Sequence, residues 1–556
     1  MFLTSEKLES NYRISPDFAN SSSVGGLLSE APEGNPGEIR DPLQPSMGIS
    51  RSSSVDAASI ASGTLGSAAP TNLTPDTWPF LVRGKLESTD PSNPTRPGCF
   101  RDDYLLRGLL PNQEVTVNLN AHVDPADFTR LQFDPYLQLV NADSGQVITY
   151  NDDSGSGSSP FHLNSKLTFT VQEGTNYILR VTSSGQGGTG NYTLRLVDWY
   201  GEHLSDGGIV NLARDLARDG QLSRNDAIAI FRNTKDGGVV DATELTDLRT
   251  LVSDRRSLMP DYVHNLSDKI VNGNLANQWY TGGGQTHEPL GNLYAGSSAD
   301  HLEKLIGKWF LGTDRPAADS GTTYQFVNGS LFQNGISIDD VAQGACGDCY
   351  YLAALAAAAV DKPPLIQNMF IDNGDNTYTV RLYNNGVADY VTVDRYFPTY
   401  SSGDRVYASW GGGSYNESDN ELWVALAEKA YAQINESGWL GRWDSTNSYS
   451  GISLGYEWQA MAQISGLTTT TRWSTNDMTQ QELIDLVNSD RLLEAGVFTN
   501  NYGLVSGHAY AITSYNPSNG TFQFRFHNPW GFYHADLTWE QLMNTAGSIR
   551  ISWTLS

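Results

Sequence analysis

A cysteine, a histidine and an asparagine in the second half of this 556-residue chain have the types and order needed to activate a thiol. Cys349 ends the turn Gln343-Gly344-Ala345-Cys346-Gly347-Asp348 and opens the run Tyr350-Tyr351-Leu352-Ala353-Ala354-Leu355, with no Gly or Pro before Pro363. That run predicts a helix starting at or near Cys349. Unpaired N–H groups and the dipole at a helix start favour negative charge, lower a thiol's pKa and supply thiolate. Other uses of this segment stay open: Cys349 as a small buried apolar residue, or Cys346 and Cys349 as a Cys-x-x-Cys redox pair or half a zinc site. Against zinc, the one other cysteine, Cys99, is remote, and no tight Cys/His cluster completes four ligands.

Downstream of Cys349 the histidines are His508, His527 and His534. His508 sits among small residues in Ser506-Gly507-His508-Ala509, where its ring can be approached closely, and is the candidate base. The alternating run from Thr521 to Phe526 predicts a strand with Asn528 at its tip, before Pro529-Trp530-Gly531. His508 follows Cys349 by 159 residues, close to the roughly 130–150 of papain-like cysteine enzymes.

Gln343-Gly-x-x-Gly-Asp-Cys349, Gly507-His508-Ala509-Tyr510 and Asn528-Pro529-Trp530-Gly531 together resemble the calpain family of cysteine proteases. Two further blocks agree: Glu421 to Tyr431, similar to the family's core helix, and Val391-Thr392-Val393-Asp394-Arg395-Tyr396-Phe397-Pro398, similar to one of its strand ends. The resemblance covers roughly residues 300 to 556. It implies Cys349 as nucleophile, His508 as its base and later the acid for the leaving amine, and Asn528 as the group orienting the imidazole. It further implies Gln343 as an oxyanion donor beside the Cys349 N–H, and Trp530 as a cover over the His508–Asn528 bond. Gly335, Asp340 and Glu428 match positions that bind calcium in the family, and a carbonyl with two carboxylates suits that hard cation. The family's second calcium site looks eroded, with His534 where an acid is expected.

Two residues depart from the pattern. Tyr350 stands for a tryptophan, and Cys346 for an aliphatic residue. Oxidation joining Cys346 to Cys349 is a hypothesis that a Cys346→Ala variant with unchanged sensitivity to mild oxidants would sink.

The remaining sequence supplies context. A formal charge of −27 argues against nucleic-acid or anionic-membrane partners. Three cysteines exclude a disulfide-stapled scaffold. Residues 1–75, Ser-rich and lacking a signal-peptide core, read as a disordered leader. No stretch reaches the ~18 apolar residues of a membrane span. Residues 76–199 alternate in short runs separated by Gly/Asp turns, as in a β-sandwich. Asp134-Pro135-Tyr136, Asn151-Asp152-Asp153 and Gly190-Asn191-Tyr192 resemble the bacterial pre-peptidase C-terminal (PPC) domain. Asp152 and Asp153 also suit calcium, or a solvated turn. Residues 200–299 read as a helical linker region in which Asp215–Asp226 and Asn233–Glu244 carry weak EF-hand-like spacing.

The expected whole is an α+β multidomain protein: a leader, a β-sandwich, a helical segment, and from 300 to 556 a papain-like bilobed calpain protease core. The expected function is a cysteine endopeptidase acting on protein or peptide substrates, with calcium as a cofactor. Two alternatives are a binding pseudoprotease and a cysteine acyltransferase using the same triad. Absence of a signal peptide favours the cytoplasm, whereas the sandwich favours export and, with the protease, a bacterial source. Oligomeric state is not legible.

Overall fold

The computed structural model describes residues 60–62, 70–74, 79–155, 160–517 and 523–555. The leader expected at 1–75 lies outside the described residues except for 60–62 and 70–74. Those two pieces contain Ile60–Ser62 and Thr71–Leu73, parallel edge strands of the two sandwich sheets.

One sheet runs in the order Ile60–Ser62, Phe80–Leu86, Gly190–Asp198, Glu114–Ala121, Ser165–Thr170. The other runs Thr71–Leu73, Arg101–Leu106, Tyr177–Ser183, Pro135–Asn141, Val147–Asn151. Alternation along the strands places Val115, Val117, Leu119, Leu137, Leu179, Leu194 and Leu196 between the sheets, all fully buried.

The helices Gly207–Leu216, Arg224–Asn233, Ala242–Asp254, Asp261–Val271 and Ala299–Ile306 follow. Neither EF-hand-like spacing forms a calcium loop. Asp215 lies inside a helix and pairs with Arg218 at 2.7 Å. Asp226 and Glu244, the expected bidentate ligands, instead complete capping boxes with Ser223 and Asp241. Helix capping and an EF-hand loop both favour acids at fixed offsets, which explains the false signal.

This helical segment shares one apolar cluster, from Trp199 to Ala511, with the first part of the segment from 320 onwards. Buried cations tie the two together. Lys269 Nζ donates to Tyr390 O at 2.6 Å and pairs with Asp389 at 2.5 Å. Arg224 pairs with Asp375 at 2.9 Å, and Lys308 is held between Asp314 and Glu436, each at 2.5 Å. Unpaired, each charge would cost several kcal/mol, so the contacts fix register as well as position.

The segment from 320 onwards has several sheets. Three antiparallel strands, Phe370–Asp372, Thr377–Asn384 and Val387–Asp394, form one. A six-stranded sheet forms another, in the order Thr469–Arg472, Ile549–Thr554, Leu493–Val497, His508–Tyr515, Phe524–His527, Ala535–Leu537. The helix Cys349–Asp361 is buried from Tyr350 to Ala359. A helix apolar on every side belongs in an interior, and its alanines let neighbours come close. It touches the strands His508–Tyr515 and Leu493–Val497 and the helices Glu457–Ser465 and Trp423–Ile434. Tyr351 stacks on Tyr431 at 3.9 Å.

Candidate active site

Cys349 is the first residue of its helix, as its sequence predicts. The turn before it is tight. A Cβ on Gly344 would lie 2.2 Å from the Tyr407 carbonyl oxygen, so only glycine lets this backbone pass. Asp348 holds the N-cap position but its side chain makes no cap bond. It is fully buried, and its carboxyl interacts with the Glu428 carboxyl and the Gln343 side chain.

His508 opens its strand and is buried. Its Nε2 lies 2.8 Å from Asn528 Oδ1, and Trp530 N donates to that same oxygen at 2.9 Å. A backbone N–H only donates, so the atom it meets is the amide oxygen. His508 Nε2 therefore carries the proton, and Nδ1 is left with its lone pair. Asn528 is fully buried; its Nδ2 donates to Tyr533 O, and its N–H donates to His534 Nδ1 at 3.1 Å. The Trp530 ring lies over His508 at 4.7 Å between centroids. Burial holds the His508 pKa below its usual 6.5, with the Asn528 bond working the other way.

Cys349 and His508 stand on two elements in contact, the helix Cys349–Asp361 and the strand His508–Tyr515. The Ala509 N–H, next to His508, faces the Cys349 thiol. No hydrogen bond joins Cys349 to His508 among the described residues. Here the structure corrects the expectation of a helix-lowered thiol. Desolvation is the largest influence and pushes Cys349 up to about 12, the neighbouring Asp348 acting in the same direction.

Gln343 is joined to the histidine side by its backbone N–H, which donates to Pro529 O at 2.8 Å. Its Nε2 donates to Cys346 O at 2.6 Å, and the side chain also interacts with the Asp348 carboxyl. All three cysteines are free; Cys346 is buried and donates to Tyr449 O at 3.1 Å.

The residues matched to calcium do not converge. Gly335 is exposed. Asp340 Oδ2 accepts from Ser337 N at 2.8 Å and Trp423 Nε1 at 3.0 Å. Glu428 is fully buried; its Oε2 accepts from Ala408 N, and its free oxygen belongs to a cluster with Asp348 and Cys346. No recorded contact joins Asp340, Glu428 and Gly335 among the described residues, whereas Asp340 acts on Glu421.

The family model described as calpain family cysteine protease matches residues 320–545. This segment is a calpain-family domain. A thiol protease of Porphyromonas gingivalis is 28% identical over 271 residues, covering 42% of this chain and 53% of its own. The mouse calpain-1 catalytic subunit is 28% identical over 259 residues, covering 42% and 31%. A calpain-type cysteine protease of Zea mays is 27% identical over 225 residues, covering 36% and 9%. The chain thus spans at most about half the length of these relatives. Among solved structures, the pre-peptidase C-terminal domain of a Bacillus anthracis collagenase aligns with 23% of this chain and 94% of its own at 13% identity, with a TM-score of 0.16.

Within the calpain domain, sequence reasoning proposed Cys349, His508, Asn528, Gln343 and Trp530, of which His508, Asn528 and Trp530 lie in direct contact. It missed the support that His534 gives Asn528, and the pairing of Asp348 with Glu428. It also missed Glu494, which is fully buried on the strand beside His508 with neither carboxylate oxygen bonded. The signal for Glu494 was an acid in an otherwise apolar strand, Leu492-Leu493-Glu494-Ala495-Gly496-Val497.

Proposed function

We infer that this chain is a cysteine endopeptidase hydrolysing peptide bonds through Cys349, His508 and Asn528. The observation that carries the reading is the shared Asn528 Oδ1, which accepts from both His508 Nε2 and Trp530 N and leaves Nδ1 as the base. A bilobed core accompanies it: one lobe around the Cys349 helix, the other around the separate apolar cluster of Leu493, Tyr510, Phe526 and Trp553, with the substrate between them.

In this mechanism His508 Nδ1 takes the Cys349 proton as the thiolate attacks the carbonyl carbon. The Cys349 backbone N–H and the Gln343 side-chain amide meet the developing oxyanion. Collapse transfers the His508 proton to the leaving amine and leaves a thioester. Water, deprotonated by the same Nδ1, then releases the acid and restores the thiol. Asn528 keeps the ring facing Cys349 throughout, and Trp530 keeps water from their bond. No step runs through calcium.

Proteins or peptides are the substrates in this reading. No described helix is long and apolar enough to cross a membrane. The test is casein hydrolysis by the wild type and Cys349→Ala under reducing conditions, with calcium titrated from a chelated zero point. Loss of cleavage in the variant is expected. Equal cleavage by both would reject Cys349 as nucleophile, and no cleavage by either would favour a pseudoprotease.

A further inference from the structure

The geometry points to a site for a borderline divalent cation, of the zinc and cobalt class, formed by Cys346, Asp348 and Glu428 immediately behind the Cys349 turn. One donor atom from each of the three lies within 4.8 Å of the others, and all three residues are buried. The carboxylates are short of partners. Asp348 and Glu428 meet carboxyl to carboxyl, with the Gln343 side chain also acting on Asp348, and no donor of any other described residue reaches either Asp348 oxygen or Glu428 Oε1. An aspartate at an N-cap normally bonds the first turn of its helix, yet Asp348 makes no such bond and turns inward. Gln343 Oε1, also buried and unpartnered, is a fourth oxygen from the same turn.

Two carboxylates buried face to face cannot both be ionised without a positive charge between them. A proton or a cation must sit there. Arg405 is the nearest charged side chain acting on Glu428, but its recorded bonds go to Ala342 O and Tyr407 O. The third wall selects between proton and cation, because a thiol facing two carboxylates is a mixed sulfur–oxygen donor set. Such a set suits zinc, with bonds of about 2.3 Å to sulfur and about 2.0–2.2 Å to oxygen. It suits calcium poorly, since calcium takes oxygen donors only. Binding displaces the Cys346 proton and the proton held between the Asp348 and Glu428 carboxylates. One thiolate and two carboxylates then leave one net negative charge around a divalent ion, and Arg405 offsets it. Cys346, the residue that departs from the family pattern, supplies the sulfur. Glu428, matched by sequence to a calcium position, is turned away from that use.

The test uses the full chain carrying Cys349→Ala, so that the nucleophile cannot contribute a thiolate, stripped of metal and titrated with Co²⁺. One Co²⁺ per chain should produce thiolate-to-cobalt charge-transfer absorption together with the visible bands of a four-coordinate ion, and Zn²⁺ should displace it. Adding Cys346→Val, which keeps an apolar group in the pocket and a normal circular dichroism spectrum, should abolish the charge-transfer band. Adding Glu428→Gln, which can still accept from Ala408 N, should weaken binding at least ~10-fold. Absence of the band in the Cys349→Ala chain would overturn the site in favour of a shared proton. A band surviving Cys346→Val would overturn the ligand assignment, and displacement by Ca²⁺ as readily as by Zn²⁺ would overturn the metal class. None of these readouts depends on proteolysis, so the site and the endopeptidase reading can fail separately.

Discussion

Replacing Asn528 by alanine tests the arrangement around His508 most directly. Asn528 Oδ1 satisfies two donors, at 2.8 and 2.9 Å, and the residue is fully buried. Truncation strands both the His508 Nε2 proton and the Trp530 N–H. Each unpaired buried donor costs about 1–3 kcal/mol, and a water entering the space recovers part of it, so a stability loss of about 2–4 kcal/mol is expected. Catalysis should suffer separately. Without the amide oxygen the proton can move to Nδ1, and the ring can turn. Losing about 1.4–2.8 kcal/mol of orienting interaction lowers kcat/KM by about 10- to 100-fold. Asn528→Asp should behave differently. Its carboxylate still accepts from both donors, but its charge stabilises the imidazolium and raises the His508 pKa from its depressed value. The acid limb of kcat/KM should then move to higher pH, because the base is protonated at a higher pH. Peptide hydrolysis across a pH series, at a temperature where both variants are folded, reads both effects. Wild-type kcat/KM in folded Asn528→Ala, or an unmoved acid limb in Asn528→Asp, would refute the reasoning.

Further outcomes follow from packing and charge. Gly344→Ala pushes a methyl into the Tyr407 carbonyl at 2.2 Å, so it should cost at least about 1–3 kcal/mol in urea unfolding and lower activity by shifting the Gln343–Cys349 turn. Arg550→Ala strips Glu457 of its two-pronged partner at 2.6 and 3.1 Å, beside the unbonded Glu494, and should lower stability by about 3–5 kcal/mol. Burial holds the Glu494 pKa well above 4.5, so its folded form keeps a proton that the unfolded chain releases. Its contribution is full below pH 4.5 and lost as pH rises towards the folded pKa. Glu494→Gln should therefore gain stability over the wild type by about 1.4 kcal/mol per pH unit in that window, with no gain at pH 4. A chain beginning at residue 320 should fail to fold alone, because it strands Asp389 and Glu436 without Lys269 and Lys308; a cooperative unfolding transition from that fragment would contradict this.

What could be read from the sequence was local. The start of the Cys349 helix followed from a glycine turn running into alanines, and Asn528 fell directly after the strand Phe524–His527 that its alternation predicted. The sandwich alternation was legible because each strand buries one face. What escaped was set by long-range approach. Arg224 and Lys269 look like ordinary surface charges on amphipathic helices, and only the fold shows them inside a shared core. Asp348 and Glu428 are 80 residues apart, and neither neighbourhood signals a partner. Asp226 and Glu244 misled for a related reason: the acid that would hold calcium is also the acid that closes a capping box.

At Cys349 a local electrostatic rule keeps its sign but not its dominance: desolvation raises the thiol pKa by more than the Tyr350 N–H lowers it. A helix start favours an anion by about 0.3–1 kcal/mol, and by about 2 at most in buried geometry. Moving a thiol from 9.0 to about 12 corresponds to about 4 kcal/mol against the thiolate. Burial beneath the His508 strand therefore outweighs the dipole, and Asp348, which turns its carboxylate inward instead of capping the helix, adds negative charge close by. In the proposed mechanism the proton then passes to His508 Nδ1 as the attack occurs, so the reaction would depend on the tautomer set by Asn528 and Trp530 more than on the thiol itself.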